Sequence, residues 1–274
     1  MPHIEVNGFR MHYESVGSGH PVVFIHGHTL DSRIFDDVMP TVSKYYNAIR
    51  IDLRGHGQSE APDGEYSWAA FGRDLFEFVE KMGLAKPSLV GHSVGSTVIM
   101  DYVFNHPDRV TTIVFMDAGV SGDPISANLQ KYMDEQAERF RQVGKTDAWV
   151  EGRVKGMVWA GTPDLVAKEE KIRAMVDAWS GKSWHILAGS TRDDRPTQKE
   201  KIESGAIRVP TLVAVGEHDG GAFQKAAKYL TEKLPIVRSE VIPEAGHLAP
   251  LENPKIVNDV LVDFLNGAVG KALG

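Results

Sequence analysis

Short apolar runs that end in turn residues alternate along this chain with longer stretches of helical period. The run Val22-Val23-Phe24-Ile25 has no polar position, as expected of a strand that is covered on both faces. Similar runs occupy residues 48–52, 88–90, 112–116 and 211–215. Because strands that alternate with helices build βαβ units, the pattern predicts an α/β fold around a mainly parallel sheet.

The two ends of the chain predict further strands. Asn7-Gly8 separates segments near His3 to Val6 and Phe9 to Val16, which indicates a hairpin. Residues 237–242 predict a last strand at an edge of the sheet, followed by an amphipathic helix through Ile256 and Leu261. We therefore expect eight strands in all.

One long segment interrupts this alternation, because residues 118–206 contain no convincing strand. We expect a core of residues 1–117 and 207–274 and a helical cap of residues 118–206. The apolar residues of one predicted helical face in this segment are Leu129, Tyr132, Met133, Ala137 and Phe140. Its tryptophans are Trp149, Trp159, Trp179 and Trp184. Two interpretations of the rings stay open: they line a pocket as a lid, or they fasten the insertion to the sheet.

Composition excludes several classes of function. The chain has 274 residues, which is enough for a large core, and 30 Lys+Arg against 37 Asp+Glu give a net charge of −7. Since it contains no basic run, we expect neither a nucleic-acid partner nor a membrane partner. The absence of cysteine excludes disulfides, cysteine-bound metals and thiol nucleophiles. The first twenty residues do not resemble a signal peptide, so we expect a cytoplasmic protein.

The sharpest local motif is Gly91-His92-Ser93-Val94-Gly95. It lies between a predicted strand at 88–90 and a helix predicted from Val94 to about Asn105. A serine on so sharp a turn requires small flanking residues, because side chains at 91 and 95 would collide with neighbouring backbone. The motif predicts an exposed, reactive Ser93. The alternative is that Ser93 only caps the helix.

A serine hydroxyl becomes nucleophilic when a histidine takes its proton and an acid orients that histidine. Both residue types follow later strands of the predicted sheet. Gly216-Glu217-His218-Asp219 comes after the strand at 211–215, and Glu244-Ala245-Gly246-His247 comes after the last strand. The carboxyl ends of strands are where open α/β sheets place their sites.

In this order the motifs resemble the α/β-hydrolase family over nearly the whole chain. The other matching motifs are His26-Gly27 and the run from Asp52 to Ser59, DLRGHGQS, each after a strand. The resemblance implies an α/β-hydrolase fold with an eight-stranded, mostly parallel sheet, flanking helices and a helical cap insertion. Its motifs extend from the first parallel strand to the last strand.

The resemblance also implies a role for each site residue. Ser93 would be the nucleophile, His247 the base and then the acid, and Asp219 the carboxylate that orients the imidazole. Two other acids stay open for that last role: Asp117, at a position where some family members carry their acid, and Glu217. Each of these roles is an expectation taken from the family.

A tetrahedral intermediate carries an oxyanion, which two preorganised donors must face. The resemblance implies that these donors are the backbone amides of His28 and Val94. We expect the His28 side chain to line the acyl pocket.

No cofactor and no metal are expected. His26-Gly27-His28 with Asp31 lacks the further ligands of a metal site, and Gly17-Ser18-Gly19 lacks the third glycine of a nucleotide loop. Instead, His26, His56 and His92 are expected to form hydrogen bonds with backbone groups in their turns.

These observations predict a serine hydrolase that cleaves a small carboxylic ester or lactone through an acyl-enzyme. Among serine members, the motif set resembles enol-lactonases, small esterases and cofactor-free perhydrolases, and carbon–carbon bond hydrolases share the same frame. An aspartate at position 93 would have indicated a haloalkane dehalogenase or an epoxide hydrolase. A hypothesis of a different class is a ligand sensor that binds or slowly cleaves a signal molecule.

The expected partner is a small molecule bound in a mostly apolar pocket. Four arginines of the 118–206 segment either anchor a substrate carboxylate or lie on the solvated surface: Arg153, Arg173, Arg192 and Arg195. No sequence pattern specifies an oligomeric state.

Overall fold

The computed structural model describes residues 2–122, 127–184 and 197–273, without the side chains of 127–130, 132–133, 159–160 and 271–273. Several residues discussed above lie outside the described part, wholly or by their side chains: Leu129, Tyr132, Met133, Trp159, Arg192 and Arg195.

The strands form one eight-stranded sheet in the order β1-β2-β4-β3-β5-β6-β7-β8. They are β1 (His3–Val6), β2 (Phe9–Val16), β3 (Pro21–Ile25), β4 (Asn47–Ile51), β5 (Ser88–His92), β6 (Ile113–Met116), β7 (Thr211–Gly216) and β8 (Val237–Ile242). Strands β1, β2 and β4 pair antiparallel, and all the other pairs are parallel. The predicted hairpin, the predicted edge position of β8 and the mostly parallel sheet are confirmed.

The helices of the described ranges are α1 (Met39–Val42), α2 (Trp68–Lys81), α3 (Val94–Asn105), α4 (Ala127–Val143), α5 (Asp147–Ala160), α6 (Glu169–Ala178), α7 (Gln198–Glu203), α8 (Gly221–Lys233), α9 (Ala249–Glu252) and α10 (Pro254–Leu273). Short 3-10 turns lie at Ser32–Phe35, Pro107–Arg109 and Pro163–Lys168. Within these ranges, no helix combines the length and the apolar character that crossing a bilayer requires.

The sheet is buried on both faces because its apolar strands present alternate side chains to two separate cores. Val22 and Phe24 of β3 pack into one core, while Val23 and Ile25 of the same strand pack into the other. The first core includes residues of α1 and α10, and the second includes residues of α2, α3 and α8. This double coverage explains why β3, β6 and β7 consist almost entirely of buried apolar residues.

Apolar positions at 3.6-residue spacing between a Ser67 cap and Gly83 predict a helix at the place of α2. The Ser67 side chain accepts a hydrogen bond from the Ala70 amide at 3.1 Å, which caps the helix at its predicted start. Gly83, with φ of +64°, follows the last turn. The predicted helix is confirmed.

Strand β5 is longer than the apolar run that predicted it. Gly91 and His92 continue the strand, where they pair with Phe115 and Met116 of β6. The sequence assigned both residues to the serine turn because neither is a strong strand former. Pairing with buried neighbours on both sides overrides that local preference.

Between β6 and β7, the described ranges 127–184 and 197–206 contain helices and turns but no strand. Phe140, Trp149 and Trp179 of this segment pack against each other, with ring centroids 4.9 to 5.2 Å apart. Trp179 is only 1% exposed. Its ring contacts the rings of His28, in the loop after β3, and of His56, in the loop after β4. The contacts of Trp179 fit the fastening interpretation, and the division of the chain into core and cap stays a prediction.

Candidate active site

Ser93 occupies the sharp turn between β5 and α3, with φ of 51° and ψ of −114°. An added Cβ on Gly91 would lie 2.5 Å from the carbonyl carbon of Gly95, and one on Gly95 would lie 2.1 Å from the Ile25 oxygen. The predicted need for small residues at both positions is therefore confirmed. Ser93 makes no capping hydrogen bond to α3 in the described chain, so the capping alternative is wrong.

The structure brings together three side chains that the sequence separates by up to 154 positions. His247 Nε2 lies 3.1 Å from Ser93 Oγ, and His247 Nδ1 lies 3.0 and 3.1 Å from the two oxygens of Asp219. They follow β5, β7 and β8, at the carboxyl ends of these strands. An imidazole held between a carboxylate and a hydroxyl can accept the hydroxyl proton.

The three candidate acids occupy different environments. Asp219 is the one of the three that contacts the His247 ring in the described chain. The carboxylate of Glu217 instead accepts a hydrogen bond from the Glu244 amide at 3.1 Å. Asp117 is fully buried, and its Oδ1 accepts a hydrogen bond from the Gly216 amide at 2.9 Å.

Asp117 has a distinct electrostatic environment. Burial, and then the negative charge of Asp219, raises the pKa of Asp117 well above its usual range. Within the described residues its Oδ2 has no hydrogen-bond partner, and the nearest ring nitrogen is His92 Nε2 at 3.8 Å. This environment favours the neutral form of the Asp117 carboxyl.

The resemblance assigns the oxyanion to the amides of Val94, which follows Ser93 in the chain, and of His28, whose neighbour Gly27 approaches Ser93 in space. The Val94 amide is the first of α3, where helical N–H groups have no acceptor within the helix and the helix dipole is positive. His28 follows Gly27, and a Cβ on Gly27 would lie 3.2 Å from the Ser93 Cβ. The roles of these amides stay a prediction.

The His28 side chain is buried and contacts the segment between β6 and β7. Its Nε2 lies 3.0 Å from Ser183 Oγ, which accepts a hydrogen bond from Trp179 Nε1 at 2.8 Å. Burial, with the neighbouring His56 ring and the charge of Arg153 acting in the same direction, lowers the pKa of His28 well below its usual value. The ring is therefore neutral, and its expected place in an acyl pocket stays a prediction.

Of the four arginines considered for substrate binding, Arg153 and Arg173 are described, and they lie in different places. Arg153 Nε donates to Thr29 Oγ1 at 3.1 Å, so this side chain reaches the loop that carries His28. Arg173 pairs with the carboxylates of Glu151 and Glu169 at the surface. The solvated-surface interpretation therefore fits Arg173 and not Arg153.

Three histidines bond to backbone carbonyls, two of them within their own turns as predicted and the third in a different loop. His26 Nδ1 lies 2.8 Å from the Gly27 oxygen, and His56 Nδ1 lies 2.9 Å from the Arg54 oxygen. His92 Nε2 lies 2.6 Å from the carbonyl oxygen of His247, a contact that the sequence did not reveal. Burial lowers the pKa of His56 and of His92 to about 3. Both rings are neutral in the folded protein.

Buried neutral histidines make the protein sensitive to acid. In the unfolded chain His56 titrates at its ordinary pKa of 6.5, whereas its folded pKa is about 3. Between these two pH values the unfolded state binds more protons at this ring than the folded state does. The neutral His56 ring therefore contributes its full stabilisation above about pH 6.5, and this contribution is lost as the pH falls toward 3.

We expect His56→Gln to reduce the dependence of the unfolding free energy on pH by up to about 1.4 kcal/mol per pH unit near pH 5. Urea denaturation from pH 7 to 5 measures this slope. The control is His218→Gln, which removes an exposed ring. Equal slopes for His56→Gln and the unmodified protein would contradict the assignment of a neutral, buried His56.

Among the described residues, no cluster of three or more His, Asp or Glu side chains could hold a metal ion.

Comparison with known proteins gives relatives of similar length. A sequence model of the alpha/beta hydrolase fold matches residues 20–254. The soluble epoxide hydrolase of Corynebacterium sp. strain C12 is 24% identical over 281 aligned residues, which cover 94% of each chain.

Solved structures share the whole fold. An esterase from Thermogutta terrifontis superposes with a TM-score of 0.84 at 25% identity, covering 98% of this chain and 99% of that chain. Est816, described as an N-acyl homoserine lactone degrading enzyme, has a TM-score of 0.77 at 26% identity, covering 96% of this chain and 100% of that chain. With its strand order, its serine turn and the match over residues 20–254, the chain belongs to the alpha/beta hydrolase fold family.

Proposed function

We propose that this hydrolase cleaves small carboxylic esters or lactones through an acyl-enzyme on Ser93. The observation that carries the proposal is the position of the His247 ring, with Nε2 at 3.1 Å from Ser93 Oγ and Nδ1 at 3.0 Å from Asp219 Oδ2. This geometry supplies a nucleophile, a base and an orienting acid in one hydrogen-bonded line.

In the proposed mechanism, Ser93 Oγ attacks the carbonyl carbon while its proton passes to His247 Nε2. The tetrahedral oxyanion faces the amides of His28 and Val94. When the intermediate collapses, the carbon–oxygen bond to the leaving group breaks and His247 returns the proton to that oxygen. Water then attacks the carbonyl carbon of acyl-Ser93 and gives a proton to His247. The bond from this carbon to Ser93 Oγ breaks, His247 returns the proton to Oγ, and the acid leaves.

Some of the similar proteins support an acyl substrate and others do not. The solved structures of an esterase and of a lactone-degrading enzyme support it, whereas the curated relative is an epoxide hydrolase. Opening an epoxide through a covalent ester requires a carboxylate nucleophile, and position 93 is a serine hydroxyl. For this reason we favour ester or lactone cleavage over epoxide opening.

We further propose that residues 118–206 form a cap over the site and that the partner is a small molecule. The packing of Trp179 against His28 supports a cap that is attached beside the serine turn. The cytoplasmic location expected from the sequence stays a prediction that cell fractionation tests.

A panel of chromogenic esters and lactones of graded acyl length, run beside Ser93→Ala, tests the function. We expect many turnovers per protein on at least one member and none above background for the variant. About one event per protein, together with a ligand-induced shift in melting temperature, would instead support the ligand sensor. The same panel also measures the hydrolysis of substrates with a cleavable carbon–carbon bond and the formation of peracids.

The rate is expected to depend on pH through His247. A protonated imidazole cannot accept the Ser93 proton, so kcat/KM should fall as the pH is lowered from about 8 to about 5. Initial rates in buffers of constant ionic strength measure this, with folding monitored by circular dichroism at each pH. A flat profile over this range would contradict the role of His247 as the base.

A further inference from the structure

The loop that carries His247 is held at successive backbone groups. The Ala245 carbonyl accepts a hydrogen bond from the His218 amide at 2.8 Å, and the His247 carbonyl is 2.6 Å from His92 Nε2. The position of the imidazole therefore depends on how firmly this short stretch of backbone is fixed.

Glu252, in the short helix α9, fixes the same loop through its carboxylate. Its Oε2 accepts a hydrogen bond from the Gly246 amide, and its Oε1 accepts one from the Leu248 amide, both at 2.9 Å. These are the amides immediately before and after His247. Because Glu252 is only 5% exposed, little water competes for these bonds.

The same carboxylate also contacts the segment between β6 and β7. Glu252 Oε2 accepts a third hydrogen bond from the Thr162 amide at 2.7 Å, just after the end of α5. The approach is close, since a Cβ on Gly161 would lie 3.2 Å from Glu252 Oε2. One buried side chain thus joins the end of α5 to both sides of His247.

We propose that Glu252 is a positioning residue that holds the His247 imidazole in line with Ser93 and makes this alignment depend on the backbone at Thr162. The proposal rests on the proposed function, in which His247 is the base. An ionised carboxylate accepts without donating, so its two oxygens match three N–H donors. An amide at this position would turn an N–H₂ group toward a backbone N–H and lose at least one of the bonds.

Loosening the loop changes the angle and distance between imidazole and hydroxyl without removing any group that takes part in the reaction. Misplacement by about 1 Å can reduce a rate by about 10²-fold. Because Glu252 is buried beneath the loop, we expect the loss in kcat and little change in KM. A purely structural role would lower the unfolding midpoint and leave kcat of the folded protein unchanged.

The first test is Glu252→Gln, assayed on the best ester at a temperature where near-ultraviolet circular dichroism shows the native fold. We expect kcat to fall by about 10- to 100-fold, KM to change by less than about threefold, and the rate of Ser93 modification by a fluorophosphonate to fall with kcat. The control is Glu200→Gln, because Glu200 also accepts a backbone hydrogen bond, from the Thr197 amide, but lies at an exposed helix start.

The second test acts on the partner of Glu252 and also decides the matter if Glu252→Gln does not fold. Thr162→Pro removes the amide N–H and places the ring where the carboxylate lies, and the Thr162 φ of −83° is close to that of proline. Thr162→Val keeps the N–H and removes a hydroxyl that has no hydrogen-bond partner in the described chain. We expect about a tenfold loss of kcat in the proline variant and none in the valine variant.

The outcomes separate this proposal from the proposed function. If the unmodified protein is not labelled at Ser93, the proposed function fails. If it is labelled, and Glu252→Gln reacts as fast as the control, the positioning role is wrong. If Glu252→Gln is slow while Thr162→Pro and Thr162→Val are equal, the link to Thr162 is wrong.

Discussion

Replacement of Ser93 by alanine is expected to lower kcat on the best ester by about 10⁴- to 10⁶-fold, because the account assigns bond formation to this hydroxyl alone. The variant keeps a Cβ at the same backbone angles, so the strain of the turn is unchanged and the fold should be preserved. Steady-state rates with protein of matched circular dichroism measure the effect.

The matched control for this loss is Ser204→Ala, which removes an exposed hydroxyl bonded to the Lys201 carbonyl. It should react like the unmodified protein. If Ser93→Ala retained a tenth or more of the activity, another nucleophile would have to be sought, and the acyl-enzyme mechanism would be wrong.

Substitution of the two neighbouring aspartates by asparagine is expected to have opposite outcomes. Asp219→Asn should lower kcat by about 10⁴-fold, because the amide cannot stabilise the imidazolium and favours the wrong tautomer of His247. Asp117→Asn should retain most of the activity, since burial favours the neutral form of Asp117 and an asparagine oxygen can still accept from the Gly216 amide.

Activity assays on both purified variants, with unfolding midpoints measured in parallel, make this comparison. The result that would reverse the assignment is an active Asp219→Asn beside an inactive but folded Asp117→Asn. Asp117 would then be the orienting acid.

Much of the sheet could be predicted because its signals are local. The Asn7-Gly8 turn, the Ser67 cap and the apolar runs each specify an element from a few neighbouring residues, and the structure contains all of them. Strand β5 ended too early in the prediction, because Gly91 and His92 owe their strand conformation to pairing with β6.

The sequence predicts which residues form the candidate site better than it predicts the contacts around them. The order of Ser93, Asp219 and His247 is a property of the sequence, but a choice between Asp219 and Asp117 requires distances, since both follow strands. Glu252 was missed for the same reason. The signal for Glu252 in the sequence is a single acidic residue directly after the apolar run from Leu248 to Leu251. An ionisable side chain that is buried beside such a run needs hydrogen-bonding partners.

The most direct test of the central claim is the mass of the protein after reaction with a fluorophosphonate, followed by mapping of the modified peptide. The account predicts one adduct per chain, located on Ser93, whose formation slows when His247 is replaced by alanine. An unmodified protein that is folded and pure, or an adduct on any other residue, would contradict the claim that Ser93 is the nucleophile.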